Sequence, residues 1–177
     1  MSTPLLDRLL TMPSHEQVID KNQYLFHQSD NVSFVYYVLD GEIHLIRHHR
    51  DGTQLVMQRA TANSVLAEAS VFSDNYHCDG VAIRHSRVLK LDRKVFLRAF
   101  SDDFELTGAW SQHLANEVRN ARQRAEILSL KTVKNRLDTW ITANGGELPP
   151  KGGWKTLATE LAVSAEALYR ELSRRRG

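Results

Sequence analysis

Residues near the carboxyl end of the chain have the chemistry and the spacing to read DNA bases. Arg170 can donate a bidentate pair of hydrogen bonds to guanine O6 and N7, and Glu166, one helical turn earlier, can accept one from cytosine N4. Ser164 is a good helix N-cap, and both it and Lys155 can reach phosphate oxygens. Three further arginines are expected to contact phosphate: Arg174, Arg175 and Arg176. Together these residues predict a surface that contacts double-stranded DNA.

Two short helices would have to hold these side chains in place. The first is predicted near Trp154–Leu161, Ala162 and Val163 form the turn, and the second helix starts after Ser164. The apolar residues expected to face inward are Leu157, Ala158, Leu161, Leu168 and Leu172. This pattern predicts a helix-turn-helix. The alternative is an ordinary helical hairpin whose charged side chains are solvated.

A second group of reactive side chains lies at Tyr76–Asp79, where His77 and Cys78 are adjacent. Cys78 is the only cysteine, so an intramolecular disulfide and a four-cysteine metal site are excluded. The pair could ligate haem or a soft metal, or the thiol could act as a redox sensor. On a strand, however, adjacent residues point to opposite faces and are poor joint ligands. The same residues are also compatible with an inert, half-buried cysteine and with a small organic ligand near Glu68.

Three histidines raise an alternative from another class, a cupin-type metal enzyme. His44 and His48 share one face of a predicted strand, as two metal ligands would, and His49 follows them. The turn at Asp51–Gly52 nevertheless places His48 at the mouth of a solvated hairpin, and no carboxylate follows at a suitable spacing. The sequence also contains no evident nucleophile–base pair and no glycine-rich phosphate loop. We therefore expect the protein not to be an enzyme.

Short strands separated by turns precede the helical part of the chain. A helical lead with Leu5, Leu6, Leu9 and Leu10 on one face ends at Pro13. Tight turns are expected at Asp40–Gly41 and Asp51–Gly52. The predicted strands are Tyr24–Phe26, Phe34–Leu39, Glu42–Arg47, Gln54–Gln58, Gly80–Ile83 and Ser86–Leu91. Their spacing predicts a jelly-roll β-barrel, and the fold class expected for the whole chain is α+β.

The pattern of apolar residues becomes helical after Asp92, which can cap a short helix. A long helix is predicted over residues 102–129, and another over residues 131–143. Within the long helix a stripe recurs at spacings of four and three residues: Leu114, Val118, Ala121, Ala125 and Leu128. This is the seam of a coiled coil, which predicts a homodimer. The alternative is a helix that packs on its own domain.

The overall composition indicates a soluble globular protein but does not indicate its function. The chain has 177 residues, a net charge of +2 and an ordinary share of apolar residues, which suits a soluble globular protein. Between Lys151 and Gly177 there are six basic residues and three acidic ones, so the positive charge is concentrated at the predicted DNA-contacting end. The start has no signal-peptide pattern, and no apolar run could span a membrane. We expect a cytoplasmic protein with no membrane partner.

Three segments carry a resemblance to the cyclic-AMP receptor and fumarate-nitrate regulator (CRP/FNR) family of transcription factors. They are Tyr36–Ile43 in the barrel, Ala67–Phe72 in the effector region and Ser164–Arg170 in the last helix. The resemblance covers nearly the whole chain. It implies a homodimer, a jelly-roll effector domain and an allosteric reorientation of the DNA-binding helices. RNA polymerase is a further partner to consider.

The chain departs from the family pattern at two places. In cyclic-nucleotide binders of this family a glutamate holds the ribose hydroxyl, and an arginine about ten residues later holds the cyclic phosphate. Here Glu68 remains, but Cys78 stands at the arginine position, followed by Asp79 and Gly80. Binding of cyclic AMP is therefore not expected, and the cofactor is left open between haem, a metal ion and neither. The effector-binding candidates are Glu68, Ser70, His77, Cys78 and Asp79.

The second departure concerns the DNA-binding end. The family's β-hairpin wing is not expected after the last helix, and Ala165 stands where the family commonly has an arginine. The predicted domains are residues 1–101 for the effector barrel, 102–129 for the dimerisation helix and 130–177 for the wingless helix-turn-helix. The function expected is a DNA-binding regulator that senses an effector, a redox change or a gas. The alternative in the same family is a dimeric sensor that no longer binds DNA specifically.

Overall fold

A computed structural model describes residues 4–49, 52 and 54–175 of the chain. The chain divides into two compact units, Met1–Leu114 and Ala115–Gly177, and each is described by itself below. Of the predicted features, Arg176 and Asp51 of the second turn lie outside the described residues. Gly52 of that turn has the positive φ of 83° that favours glycine.

The first unit is built on two antiparallel four-stranded sheets. One sheet has the order β1-β8-β3-β6 and the other has the order β2-β7-β4-β5. The strands are β1 Ser14–Ile19, β2 Tyr24–Phe26, β3 Phe34–Asp40, β4 Glu42–His48, β5 Gln54–Thr61, β6 Val65–Leu66, β7 Asp79–Ala82 and β8 Ser86–Asp92. The expected antiparallel β domain is confirmed. Strands β1 and β6 were not predicted, because β1 is an edge strand that buries little and β6 has only two residues.

The predicted turn at Asp40–Gly41 joins β3 to β4, and it needs glycine for two reasons. Gly41 has a φ of 99°, which L side chains rarely adopt. A Cβ at this position would also come within 2.1–2.5 Å of Ser86. Ser86 is fully buried there, and its hydroxyl accepts a hydrogen bond from the Glu42 N–H at 3.0 Å. The turn therefore brings the start of β4 against the start of β8.

Strand β3 is buried on both faces, which accounts for its continuous apolar run. Tyr36 and Val38 belong to the core between the two sheets, whereas Val35 and Tyr37 belong to a second core. That second core is completed by three helices: α1 Pro4–Leu10, α2 Arg93–Asp102 and the first part of α3 Phe104–Ser129. The predicted apolar face of α1 is wrong in one respect. Leu10 is 54% exposed, because α1 ends there and the chain turns away.

A break at Asp103 separates α2 from α3. Asp92 caps α2 as predicted, since its carboxylate accepts from the N–H groups of Lys94 and Val95 at 2.8 and 3.0 Å. Asp103 has an extended backbone, and its carboxylate accepts from the N–H groups of Glu105 and Leu106. A second cap therefore starts α3 at Phe104, two residues after the predicted start.

The second unit is helical. Besides the last part of α3 it contains α4 Val133–Ala143, a 3-10 turn at Lys151–Gly153, α5 Trp154–Glu160 and α6 Ala165–Arg174. Its core consists of Ile127, Leu137, Trp154, Leu157, Ala158, Leu161, Leu168 and Leu172. All five residues predicted to face inward from the last two helices belong to this core. Among the described residues, no helix is both long enough and apolar enough to cross a membrane.

Candidate nucleic-acid interface and effector site

Helix α6 presents the predicted base-reading residues from a well-capped start. The Ser164 hydroxyl accepts a hydrogen bond from the Ala167 N–H at 3.1 Å. Ala162, in the turn before it, has a left-handed φ of 48°, which reverses the chain so that the Val163 N–H reaches the Ala158 carbonyl at 3.0 Å. Two buried leucines, Leu168 and Leu172, hold α6 on the core. The opposite face of α6, which carries Glu166 and Arg170, is exposed.

The side chains proposed to contact DNA are on that open face. Ser164, Glu166 and Arg170 are exposed, and so is Lys155 on α5. The pKa of Glu166 is lowered by a hydrogen bond from its own backbone N–H and by another from the Ser164 hydroxyl. Ser164 thus serves both as the cap of α6 and as a partner of Glu166. A phosphate contact by Ser164 stays a prediction.

The arginines at the end of α6 form ion pairs within the unit. Glu171 is buried, and its carboxylate accepts from Arg174 at 2.7 Å and from Arg175 at 2.9 Å. Arg175 also lies 2.7 Å from Asp138 of α4 and is only 29% exposed, whereas Arg174 is 68% exposed. Arg175 therefore holds α6 against α4. Its predicted contact with phosphate is untested, and Arg176 lies outside the described residues.

Sequence reasoning missed Arg136, which connects two parts of the second unit. Its Nε and Nη2 donate to the carbonyls of Leu130 and Leu128, where α3 ends, at 2.8 and 3.2 Å. Its Nη1 donates to the carbonyls of Leu161 and Ala162, in the α5–α6 turn, at 2.8 and 3.1 Å. The available signal was a charged residue within the apolar stripe of α4.

The candidate effector residues do not all face the same way. Cys78 is buried in the core between the sheets, and burial raises the pKa of its thiol. His77 is exposed, with its Nε2 3.2 Å from the Ser73 hydroxyl, so these neighbours do point apart. Asp79 lies on the side away from Cys78, with its carboxylate oxygens 3.5 Å from His27 Nδ1 and 3.8 Å from His48 Nε2.

Glu68 is held by Gln58, a residue that sequence reasoning missed. Its Oε2 accepts from the Gln58 side-chain amide at 3.3 Å, and the same amide donates to the Val65 carbonyl at 3.2 Å. Burial raises the pKa of the Cys78 thiol, and the negative charges of Asp79 and Glu68 add to this effect. Ser70 is buried and 2% exposed, at the end of the 3-10 turn that Glu68 begins.

Aromatic rings fill the core beside Cys78. The Phe26 and Tyr76 rings stack with their centroids 3.8 Å apart, and Phe26 lies against Gly80, where a Cβ would be 2.8 Å from it. The Tyr76 hydroxyl donates to the Phe34 carbonyl at 2.8 Å, and burial raises the pKa of Tyr76 to about 12. The interior next to Cys78 is thus closely packed and uncharged on its aromatic side.

The histidines of the enzyme alternative do not converge. The His44 Nε2 lies 2.7 Å from Glu42, while His48 is near Asp79, and His49 is exposed. In the part of the chain that the structure describes, no three histidine, cysteine, aspartate or glutamate side chains are grouped to hold a metal ion. Ligation of haem by His77 or Cys78 stays untested.

The predicted dimer stripe is divided along α3. Leu114 packs partly on the second core of the first unit. The other four residues of the stripe are exposed or half-exposed, Val118 by 48% and Leu128 by 45%. Apolar side chains left open at this spacing form one narrow seam along the helix.

Comparisons with known proteins agree with this architecture. Residues 16–103 match the profile of the cyclic nucleotide-binding domain. A search of curated protein sequences found no significant match.

Among solved structures, the chain resembles CLP, a c-di-GMP responsive global regulator of Xanthomonas campestris, with a TM-score of 0.69 and 18% identity over 97% of this chain and 90% of that one. FixK2 of Bradyrhizobium japonicum matches with a TM-score of 0.70 and 19% identity, over 91% of this chain and 83% of that one. The sensor domain of the transcriptional regulator DNR of Pseudomonas aeruginosa matches with a TM-score of 0.54 and 24% identity, over 73% of this chain and 83% of that one. Residues 16–103 therefore carry a domain of the cyclic nucleotide-binding type, and the chain shares its fold with transcriptional regulators of the CRP/FNR type.

Proposed function

We propose that the protein is a DNA-binding transcription regulator and not an enzyme. The observation that carries this proposal is the open face of α6, where Arg170 and Glu166 lie one helical turn apart on a helix that Ser164 caps. In a helix-turn-helix, the second helix enters the major groove and reads base edges with residues near its N-terminus. Together with α5, α6 would form such a motif. The regulator-like fold supports the same proposal.

The second part of the proposal is a cytoplasmic homodimer formed along α3. Val118, Ala121, Ala125 and Leu128 lie open at coiled-coil spacing, and small alanines in the middle allow two helices to approach closely. A two-fold dimer would present two copies of α6 to successive half-sites about 34 Å apart, one turn of DNA. An effector bound in the β domain would change the position of the two α6 helices. RNA polymerase is a further partner proposed on the family resemblance alone.

A DNA-binding experiment tests the role of α6. Arg170→Ala is expected to cost about 1–3 kcal/mol on a cognate site and to relax the preference at one base-pair position, since it removes a bidentate contact with a base. The site would come from a selection out of random DNA, and affinities would be measured by fluorescence anisotropy. Arg174→Ala is the matched control, because an exposed arginine near phosphate should weaken binding to all sequences alike.

Two results would contradict the proposal of specific DNA binding. One is a selection that yields no palindromic site. The other is an Arg170→Ala variant that discriminates between sites as the wild type does.

The second candidate function, a dimeric sensor without specific DNA binding, would then apply. One observation favours it: Arg174 and Arg175 are already paired with acidic groups of their own unit.

Cyclic AMP and cyclic GMP are expected to bind weakly or not at all. Cys78 cannot donate the paired hydrogen bonds that an arginine gives to a phosphate, and Asp79 points to the other side, toward His27 and His48. Isothermal titration calorimetry of the 177-residue chain with each nucleotide tests this. A low-micromolar affinity for either nucleotide would show that these positions do not decide effector binding.

A further inference from the structure

We propose that the inner face of the β domain binds a small hydroxylated oxyanion, with Arg47 holding its negative group and Gln58 accepting from its hydroxyl. This inference deepens the proposed function, because it names the chemical class of the effector. It also assigns the anion to a different residue. Cyclic-nucleotide binders of this family hold the phosphate with an arginine at the position of Cys78, whereas here the guanidinium would come from Arg47 on β4.

The strand register places Arg47 on the inner face. Arg47 lies two residues after Leu45 on β4, and Leu45 is part of the core between the sheets, so the two residues share a face. The β4–β7 pairing ends at Ile46 and Asp79, and beyond it the Arg47 side chain reaches the carbonyl of His77, the neighbour of Cys78. Cys78 belongs to the same core as Leu45, and directly opposed residues of paired strands lie on the same face of a sheet. Gln58 is opposite Leu45 in the β4–β5 pair and shares that face.

The guanidinium is held in a defined orientation. Its Nε and Nη2 donate to the His77 carbonyl at 3.2 and 3.0 Å. A guanidinium has more N–H groups than one carbonyl can occupy, and it binds carboxylates and phosphates through paired hydrogen bonds. Arg47 is half-buried, so part of it remains accessible. The charge of Arg47 also opposes the effect of burial on the pKa of the Cys78 thiol, which agrees with their predicted proximity.

A buried acceptor near this cation points to a ligand with a hydrogen-bond donor. The Gln58 amide nitrogen is occupied by the Val65 carbonyl and by Glu68. Its oxygen, Oε1, is buried and accepts no hydrogen bond from the described residues. Leaving a buried acceptor unpaired costs about 1–3 kcal/mol. A ligand hydroxyl would remove this cost, and the Glu68 carboxylate could accept from the same ligand.

The packing of the interior favours a small ligand over a nucleotide. Phe26 lies directly against Gly80, two residues from Cys78 on the same face, and Tyr76 stacks on it. These rings fill the core beside Cys78 and leave less space there for a large ligand. Small hydroxycarboxylates and short phosphate esters share the required chemistry, an oxyanion with a neighbouring hydroxyl.

The experiment titrates the 177-residue chain with glycolate, glycerol 3-phosphate and acetate. Binding is followed by calorimetry and by the Nε–H resonances of arginine side chains. Glycolate represents the hydroxycarboxylates and glycerol 3-phosphate represents the phosphate esters, so comparing their affinities shows which class of ligand is preferred. Glycolate is expected to bind about three- to tenfold more tightly than acetate, because only glycolate has a hydroxyl for Gln58. The Arg47 Nε–H resonance is expected to shift on binding.

Arg47→Gln should lower the affinity of the preferred probe roughly ten- to a hundredfold, which corresponds to a charge-assisted hydrogen bond. Arg59→Gln is the matched control: Arg59 is opposite His44 on the neighbouring strand and therefore lies on the other face. It should change the affinity less than about twofold. Arg47→Lys, which retains the charge but not the paired donors, should give an intermediate loss. Thermal unfolding of each variant shows whether it is folded.

Three results would overturn the inference: no probe binds the wild type, Arg59→Gln loses as much affinity as Arg47→Gln, or acetate binds as tightly as glycolate. Failure here can be distinguished from failure of the proposed function. A wild type that selects a palindromic DNA site but binds no probe contradicts only the effector inference. A wild type that binds a probe through Arg47 but selects no DNA contradicts only the DNA-binding role.

Discussion

Val118→Glu is expected to convert the proposed dimer into a monomer. Val118 is 48% exposed in the chain and is the first open residue of the apolar seam of α3, so a two-fold axis along this seam would bring two new carboxylates together. Two like charges without partners in an apolar interface cost several kcal/mol. We expect the dissociation constant to rise at least about a hundredfold, which corresponds to roughly 3 kcal/mol. Light scattering at micromolar concentration measures the change in mass.

Asn120→Glu is the matched control for this prediction. Asn120 is exposed on the same helix, off the seam, and the substitution changes the charge by the same amount. It should leave the mass of the particle unchanged. A wild-type monomer under these conditions would contradict the dimer, and so would an Asn120→Glu variant that dissociates as readily as Val118→Glu. In either case α3 would have another role than dimerisation.

The elements that the sequence predicted well are those whose local pattern agrees with their environment. The run at Phe34–Leu39 is apolar at every position, and β3 is indeed buried on both faces. Asp40–Gly41, Asp92 and Ser164 are short-range signals for a turn and two helix caps, and each has that role. Such signals depend only on residues a few positions away along the chain. They therefore do not require knowledge of the tertiary structure.

The contacts that the sequence did not predict join distant segments. The hydrogen bonds from Arg47 to the His77 carbonyl lie just beyond the β4–β7 pairing, and that pairing depends on how the whole sheet assembles. The pairing of Arg175 with Asp138 spans two helices and changes the expected role of a terminal arginine. Edge strands such as β1 give a weak pattern, since Val18 within it is 56% exposed. In each case the deciding partner is far away in the sequence.

Arg136 is the most consequential of these unpredicted contacts. It donates to carbonyls at the end of α3 and to carbonyls in the turn before α6. If α3 forms the dimer and α6 contacts DNA, this one side chain links the two functional helices through hydrogen bonds. A carbonyl at a helix end or in a tight turn has few other partners within the protein. Removing the guanidinium would leave several such carbonyls without their donor.

Arg136→Ala is expected to lower the free energy of unfolding of the second unit by about 2–4 kcal/mol, since it removes charged donors from partly buried carbonyls. Denaturant unfolding followed by tryptophan fluorescence in a Trp110→Phe background measures this, because the two remaining tryptophans, Trp140 and Trp154, both lie in the second unit. Lys134→Ala is the control, an exposed basic residue of the same helix, and should change stability by less than about 0.5 kcal/mol. Equal unfolding midpoints for the two variants would contradict a structural role for Arg136.

Arg136→Lys tests whether the link also positions α6. A lysine retains the charge, but its single ammonium cannot bridge four carbonyls that a planar guanidinium reaches from three nitrogens. We expect this variant to remain folded and to bind single half-sites as the wild type does, while its preference for one spacing between half-sites becomes broader. The measurement is a binding series on DNA sites with spacers of different length. A spacing preference as sharp as that of the wild type would show that Arg136 stabilises the unit without positioning α6.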